Sequence, residues 1–200
     1  MREVGPITDF VLIEKIENYL EQTNKRNWAL FCVGLYTGRR ISDYINLRVG
    51  DVKNVEKLMI GNKKRKRKKK AISMNDKLKR VIEIYTENMS DYEYLFPSRQ
   101  LDGDGESKPI GYKQAYNILQ SVGKKFGVHI SCHTLRKTHG LYIYIDSGFN
   151  PKEVMDALDQ RNIYSAMSYI GIGKMKTAKR QKNMDFGKYG DVSEIITREP

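Results

Sequence analysis

Apolar residues recur at three- and four-residue spacing at Ile7, Phe10, Ile13, Ile16 and Leu20, which predicts an amphipathic helix with Thr8 or Asp9 as its cap. The stripe resumes from Asn24 to Tyr36 through Trp28, Leu30, Phe31, Val33 and Leu35, and Thr37-Gly38 ends that second helix. A short third helix is expected from Ile41 to Leu47, with Gly50-Asp51 closing the unit. The period then changes. Val52, Leu58 to Ile60, and Ala71 to Met74 read as short strands around a charged hairpin. Helical spacing returns at Leu78, Val81, Ile82 and Tyr85, and further helices are predicted over 112–126, 133–147, 151–158 and 164–172. From Gly173 onward the chain is polar and aperiodic. The expectation is therefore an α+β domain, mostly α-helical with one small antiparallel β-sheet, over residues 1–172, and a flexible tail over 173–200.

Charge changes the picture more than composition does. The chain of 200 residues is 40% hydrophobic, ample for a core, and carries 36 basic against 24 acidic residues, a formal charge of +12. Lys63 to Lys70 are eight consecutive cations, which cannot be buried and whose mutual repulsion predicts mobility without a partner. That balance points to a polyanion, nucleic acid first. Cys32 and Cys132 lie far apart with no CxxC pair, which argues against a disulfide scaffold or zinc finger and for a reducing cytoplasm. The first twenty residues carry too many charges for a signal peptide, and no apolar run reaches membrane-spanning length. No His/Asp/Glu cluster has metal-ligand spacing; Asp102 to Glu106 suggests a calcium loop, but Ser107 replaces the required glycine and Lys113 the closing Glu.

Four separated signals bear on chemistry. Thr37-Gly38-Arg39-Arg40-Ile41-Ser42-Asp43 turns into a helix, where an arginine can face an anion. His133 and Arg136, three residues apart, share a helical face and suit proton handling beside a bidentate grip on phosphate. The basic run is the third, and Leu158-Asp159-Gln160, with Tyr169 nine residues after Gln160, the fourth. Taken singly, each has an ordinary explanation: a surface arginine pair, a structural histidine, a solvated charge cluster or localisation signal, and one of 13 tyrosines at a core edge.

Together and in this order they resemble the catalytic domain of the tyrosine recombinase (phage integrase) family. Its pattern is Thr-Gly-x-Arg-x-Ser-Asp/Glu, a hairpin Lys, His-x-x-Arg, then Leu-Gly-His or similar with Tyr nine residues after that His. Arg40 falls on the first arginine, with Ser42 and Asp43 behind it; His133 and Arg136 fall on the pair, and Tyr169 on the nucleophile. Leu47, Asp51-Val52 and Tyr94-Leu95-Phe96-Pro97 suit the family's continuation, and the resemblance spans roughly residues 7 to 172. Gln160 stands where the family usually has His or Trp. Counting back from Ala71 favours Lys64 as the hairpin lysine, with Lys63 and Lys66 as alternates. Family members commonly carry an N-terminal DNA-clamping domain; here the resemblance starts near the first residue, so the hairpin cations are expected to carry DNA affinity.

The resemblance implies site-specific cutting and rejoining of double-stranded DNA through a 3′-phosphotyrosyl bond to Tyr169, without metal, ATP or another cofactor. Arg40 and Arg136 would grip the non-bridging oxygens, Lys64 would protonate the leaving 5′ oxygen, and His133 would take the tyrosine proton. Gln160 would donate a hydrogen bond without exchanging a proton, and Asp43 would brace the arginines. Lys63, Arg65, Lys66, Arg67, Lys68, Lys69 and Lys70 would contact DNA phosphates. Self-assembly on DNA is expected, with the tail docking on a neighbouring protomer. Tyr142 and Tyr144 follow His-x-x-Arg on one helix, and Tyr164 lies on a different face from Tyr169, so none suits the nucleophile's place. A type IB topoisomerase-like enzyme and a non-catalytic DNA-binding relative are the competing readings.

Overall fold

One residue punctuates two helices. The computed structural model describes residues 4–61 and 70–172. The cations from Lys63 to Lys69, Lys64 among them, and the tail from Gly173 lie outside the described residues. Helix α1 (Phe10–Thr23) is capped by Asp9, not Thr8: its carboxylate accepts from Val11 N–H at 2.9 Å and Leu12 N–H at 3.2 Å. Asn24 then donates its N–H to Leu20 O at 2.8 Å, while its side-chain oxygen accepts from Asn27 N–H at 3.0 Å. The same residue thus closes α1 and opens α2 (Lys25–Thr37). Every residue from Trp28 to Leu35 is buried, which is what an all-round apolar helix requires. Helices α1, α4 (Asp76–Thr86) and α6 (Cys132–Asp146) pack around it.

Glu17 is a buried carboxylate tying three of these helices together. It accepts from the Tyr36 hydroxyl at 2.8 Å and pairs with Lys77 at 2.5 Å. Removing Lys77 would leave the Glu17 charge without its cation in the interior.

The class is α+β, mostly helical, as predicted, and the sheet among the described residues is one antiparallel hairpin. Strand β1 (Lys57–Ile60) pairs with β2 (Lys70–Ser73), Leu58 opposite Ile72 and Ile60 opposite Lys70. Leu58 and Ile60 point inward and Lys57 and Met59 outward, the two-residue period of a half-buried strand. Val52 differs from its prediction. It closes a 3₁₀ turn, Val49–Asp51, because Arg48 N–H is drawn to Asp51 Oδ2 at 2.8 Å and Val52 N–H returns to Val49 O. Its side chain is buried by a turn, which an isolated apolar residue cannot signal.

Helix α3 (Ile41–Tyr44) is also shorter than predicted. The backbone leaves it to meet the segment around Tyr94, where Leu95 N–H reaches Leu47 O at 2.8 Å. Leu95 and Phe96 are fully buried, so the polar stretch from Asn88 to Pro109 threads two core residues inward. Helices α5 (Tyr112–Lys125) and α6 follow. Then α7 (Pro151–Ala157) and α8 (Ile163–Tyr169) close a small second core of Val154, Leu158, Ala166 and Ile170. This pair lies against α6. At Gly140 of α6 an added Cβ would lie 2.7 Å from both the Leu158 and Ile170 side chains, so any larger residue would push them aside.

Gly38 carries a double demand. It ends α2 at φ +60°, and a Cβ there would sit 2.3 Å from Cδ2 of His139. That ring is fixed, since its Nδ1–H donates to Leu35 O at 2.9 Å, and burial holds its pKa down at about 4, so it is neutral. Gly38→Ala therefore adds left-handed strain to a clash and is expected to destabilise the fold by about 2–4 kcal/mol. Urea unfolding checks this; a loss under about 0.5 kcal/mol, the range of ordinary surface changes, would contradict it.

Candidate active site

The turn after α2 and the start of α6 build the site's floor. Thr37 Oγ1 donates back to Val33 O at 2.5 Å and accepts from Arg39 N–H at 3.3 Å, so the chain reverses tightly at Gly38 before Arg40 opens α3. Across from it, Ser131 and Thr134 form a reciprocal cap: Thr134 N–H donates to Ser131 Oγ at 3.2 Å and Ser131 N–H to Thr134 Oγ1 at 3.0 Å. This starts α6 at Cys132 and sets His133 and Arg136 on one face.

Arg136 is 1% exposed, extreme for a cation. Its Nη1 donates to Gly38 O at 2.5 Å and its Nη2 donates to Leu158 O. Two of five guanidinium donors are thus committed to backbone carbonyls from opposite sides, one at the end of α2 and one at the end of α7. Burial, with Arg40 close by, pulls its pKa down to about 10, which leaves it charged at neutral pH.

Tyr169, the last residue of α8, meets this face. Its hydroxyl lies 3.0 Å from His133 Nδ1, and its ring stands 5.7 Å from the Arg136 guanidinium and 5.4 Å from Lys137 Nζ. Burial raises the phenol's pKa, opposed by Arg136 and Arg40, so the resting side chain keeps its proton. His133 moves the other way: burial, then Arg136, Lys137 and Arg40, hold it below the ordinary histidine value. A neutral imidazole carrying its proton on Nε2 can accept the phenol proton at Nδ1.

Arg40 joins His133, Arg136, Ile41, Ser42, Cys132 and Tyr112 around a shallow cleft of about 110 Å³. A groove of about 650 Å³ between residues 52–56 and α4 holds none of these side chains. A small open cleft lined by two guanidinium groups suits one phosphate of a long polymer better than an engulfed small molecule.

Asp43, Gln160 and Lys70 do not line this cleft. Asp43 is buried, accepts from the Ser42 hydroxyl at 3.3 Å, and its charge favours the protonated form of Arg39. Gln160 is half-buried in the turn after α7, its N–H bonded to Met155 O at 2.9 Å. Lys70, where the cation run enters β2, pairs with Asp159 at 2.5 Å. Lys137 was missed by sequence reasoning, although its four-residue spacing from His133 places it on the same face. Arg39, readable as a surface arginine, is 8% exposed.

The profile of the phage integrase family matches residues 9–174. A probable integrase/recombinase, YoeC, of Bacillus subtilis (strain 168) is 36% identical over 183 residues, 91% of this chain and 97% of that protein. A tyrosine recombinase of Pseudothermotoga lettingae is 26% identical over 175 residues, 83% of this chain and 57% of that protein. The crystal structure of XerA recombinase superposes with a TM-score of 0.66 at 17% identity, over 91% of this chain and 64% of that one. The Tn1549 transposon integrase in complex with circular intermediate DNA gives 0.62 at 16%, over 91% and 66%. The chain thus spans a little over half the length of the Pseudothermotoga protein and under two thirds of these two solved chains.

The electrostatics of the cleft predict an NMR titration midpoint for His133 in the DNA-free protein below 6.5, because burial and three cations oppose a further positive charge. Lys137→Met removes one of them and moves the midpoint upward. A wild-type midpoint at or above 6.5 would contradict this description.

Proposed function

The chain belongs to the tyrosine recombinase (phage integrase) family, and we propose that it cuts and rejoins DNA at specific sites through a covalent bond to Tyr169. The observation that carries this reading is the Tyr169 hydroxyl, 3.0 Å from a neutral His133 and beside the buried Arg136.

Tyr169 Oη attacks the scissile phosphorus, and its proton passes to His133 Nδ1. The bond from phosphorus to the 5′ oxygen breaks, leaving the 3′ phosphate on the tyrosine. A proton from the hairpin, with Lys64 as the assigned donor, completes the 5′-hydroxyl. Arg40 and Arg136 hold the non-bridging oxygens as charge builds, their planar donors pairing with two oxygens at once. Gln160 adds an amide hydrogen bond to the phosphate, and Asp43 steadies the arginine turn. Attack by a new 5′-hydroxyl reverses the steps, and since the phosphotyrosyl bond replaces one phosphodiester with another, no nucleotide is consumed. Positioning and charge stabilisation are the whole of the protein's task.

Residues 1–172 serve as the catalytic domain, and residues 173–200 as a tail that docks on a neighbouring protomer when copies assemble on double-stranded DNA. Lys63 to Lys70 bind phosphates, with affinity that falls steeply with salt. Among the described residues no helix is long and apolar enough to cross a membrane. Cys32 and Cys132 are free and buried, consistent with work in a reducing cytoplasm.

Nicked duplexes from the protein's own genomic neighbourhood test this reading. Wild type is expected to form an SDS-resistant protein–DNA adduct, Tyr169→Phe to bind the same DNA without forming it, and Arg40→Ala to form it about 100- to 1000-fold more slowly. An adduct with Tyr169→Phe would move the nucleophile elsewhere. No adduct from wild type on half-sites it demonstrably binds would favour a non-catalytic DNA-binding relative.

A further inference from the structure

The Asp159 carboxylate sits where an anion is least expected. The chain's net charge is +12, and this side chain faces Arg39 and Lys70 at the margin of the arginine-lined cleft. An acid there repels the phosphates the cleft would bind, so charge matching with DNA does not explain it. Its backbone is unusual as well: at φ +51° Asp159 occupies the left-handed region, which disfavours an L-residue, directly after the Leu158 whose carbonyl accepts from Arg136.

The contacts give this carboxylate a task. Oδ1 accepts from Lys70 Nζ at 2.5 Å, and Oδ2 lies 3.8 Å from Arg39 Nη1. Lys70 is the first residue of β2 and the last of the eight-cation run. Arg39 directly precedes Arg40 and is 8% exposed; its Nε has no hydrogen-bond partner among the described residues, so Asp159 and Asp43 are the charges that favour keeping it protonated. One side chain therefore joins the turn after α2, the start of β2 and the turn between α7 and α8.

We propose that Asp159 is a positioning residue for strand cleavage: it holds the root of the β-hairpin and the Arg39-Arg40 turn in register with the α7–α8 unit that carries Tyr169. The inference rests on the recombinase reading above. Asp159 acts on geometry more than on stability, because the Lys70 and Asp159 side chains are 46% and 44% exposed and such pairs stabilise a fold little. Through Lys70 it sets where the cation run meets the domain, and through Arg39 it steadies the residue beside the phosphate-gripping Arg40.

The test compares full-length wild type, Asp159→Asn, Lys70→Met and the double variant. DNA affinity is measured at fixed salt, and single-turnover adduct formation on nicked duplexes at saturating protein. Asp159→Asn is expected to bind DNA as tightly as wild type or more tightly, yet to cleave about 10- to 100-fold more slowly. Lys70→Met, approached from the hairpin side, is expected to slow cleavage comparably at saturation, and the double variant to be no slower than the worse single. A carboxylate that only tunes surface charge gives the opposite sign, with tighter binding and undiminished cleavage, and that result overturns the proposal. Multiplying effects in the double variant overturn it too. Loss of adduct in wild type itself would defeat the recombinase reading first, so the two failures are distinguishable.

Discussion

A guanidinium buried to 1% exposure must have its donors satisfied by the protein around it, and the architecture of the site follows from how Arg136 meets that demand. One terminal nitrogen takes the carbonyl of Gly38 and the other that of Leu158. These carbonyls end two different helices, and a helix end has carbonyls without intrahelical partners to offer. The arginine thus converts two loose ends into a joint. On one side of the joint stands the turn that carries Arg40; on the other stands the α7–α8 unit, which has its own small core and delivers Tyr169.

The chemistry depends on the same joint. Burial holds the cation in one orientation and strengthens its field, which together with Arg40 opposes the rise that burial imposes on the Tyr169 phenol. It also helps keep His133 neutral, since burial, then Arg136, Lys137 and Arg40, oppose protonation of that ring. A protonated phenol beside an unprotonated imidazole is a resting state ready for one proton transfer: burial keeps the proton on Tyr169, and burial with Arg136, Lys137 and Arg40 keeps it off His133. Glycines permit the close approaches this needs: Gly38 beneath the His139 ring, and Gly140 where α6 meets Leu158 and Ile170.

Much of this architecture is legible in the amino-acid sequence alone. The helical stripes, the Thr37-Gly38 stop, the hairpin and the three-residue spacing of His133 and Arg136 follow from local periodicity and capping, which sequence records directly. The illegible parts are those set by long-range contacts. Val52 lies in a turn because of Asp51, and Leu95 and Phe96 enter the core because Leu47 offers a carbonyl across the fold. No local signal links Arg39, Lys70 and Asp159, which lie far apart in the chain until the fold brings residues 39, 70 and 159 to one point. The choice of Lys64 within an unbroken run of cations has no periodic signal at all, since the lysines of the run are alike in chemistry.

Hydrogen exchange over residues 151–172 in Arg136→Lys tests the joint most directly. A single ammonium cannot reproduce the planar fork that spans both carbonyls. Faster exchange across α7 and α8, with protection in α2 retained, is the result this account predicts. Unchanged protection over 151–172 would contradict it, because the helix that carries Tyr169 would then be held in place by its own small core and by Gly140's packing, without Arg136.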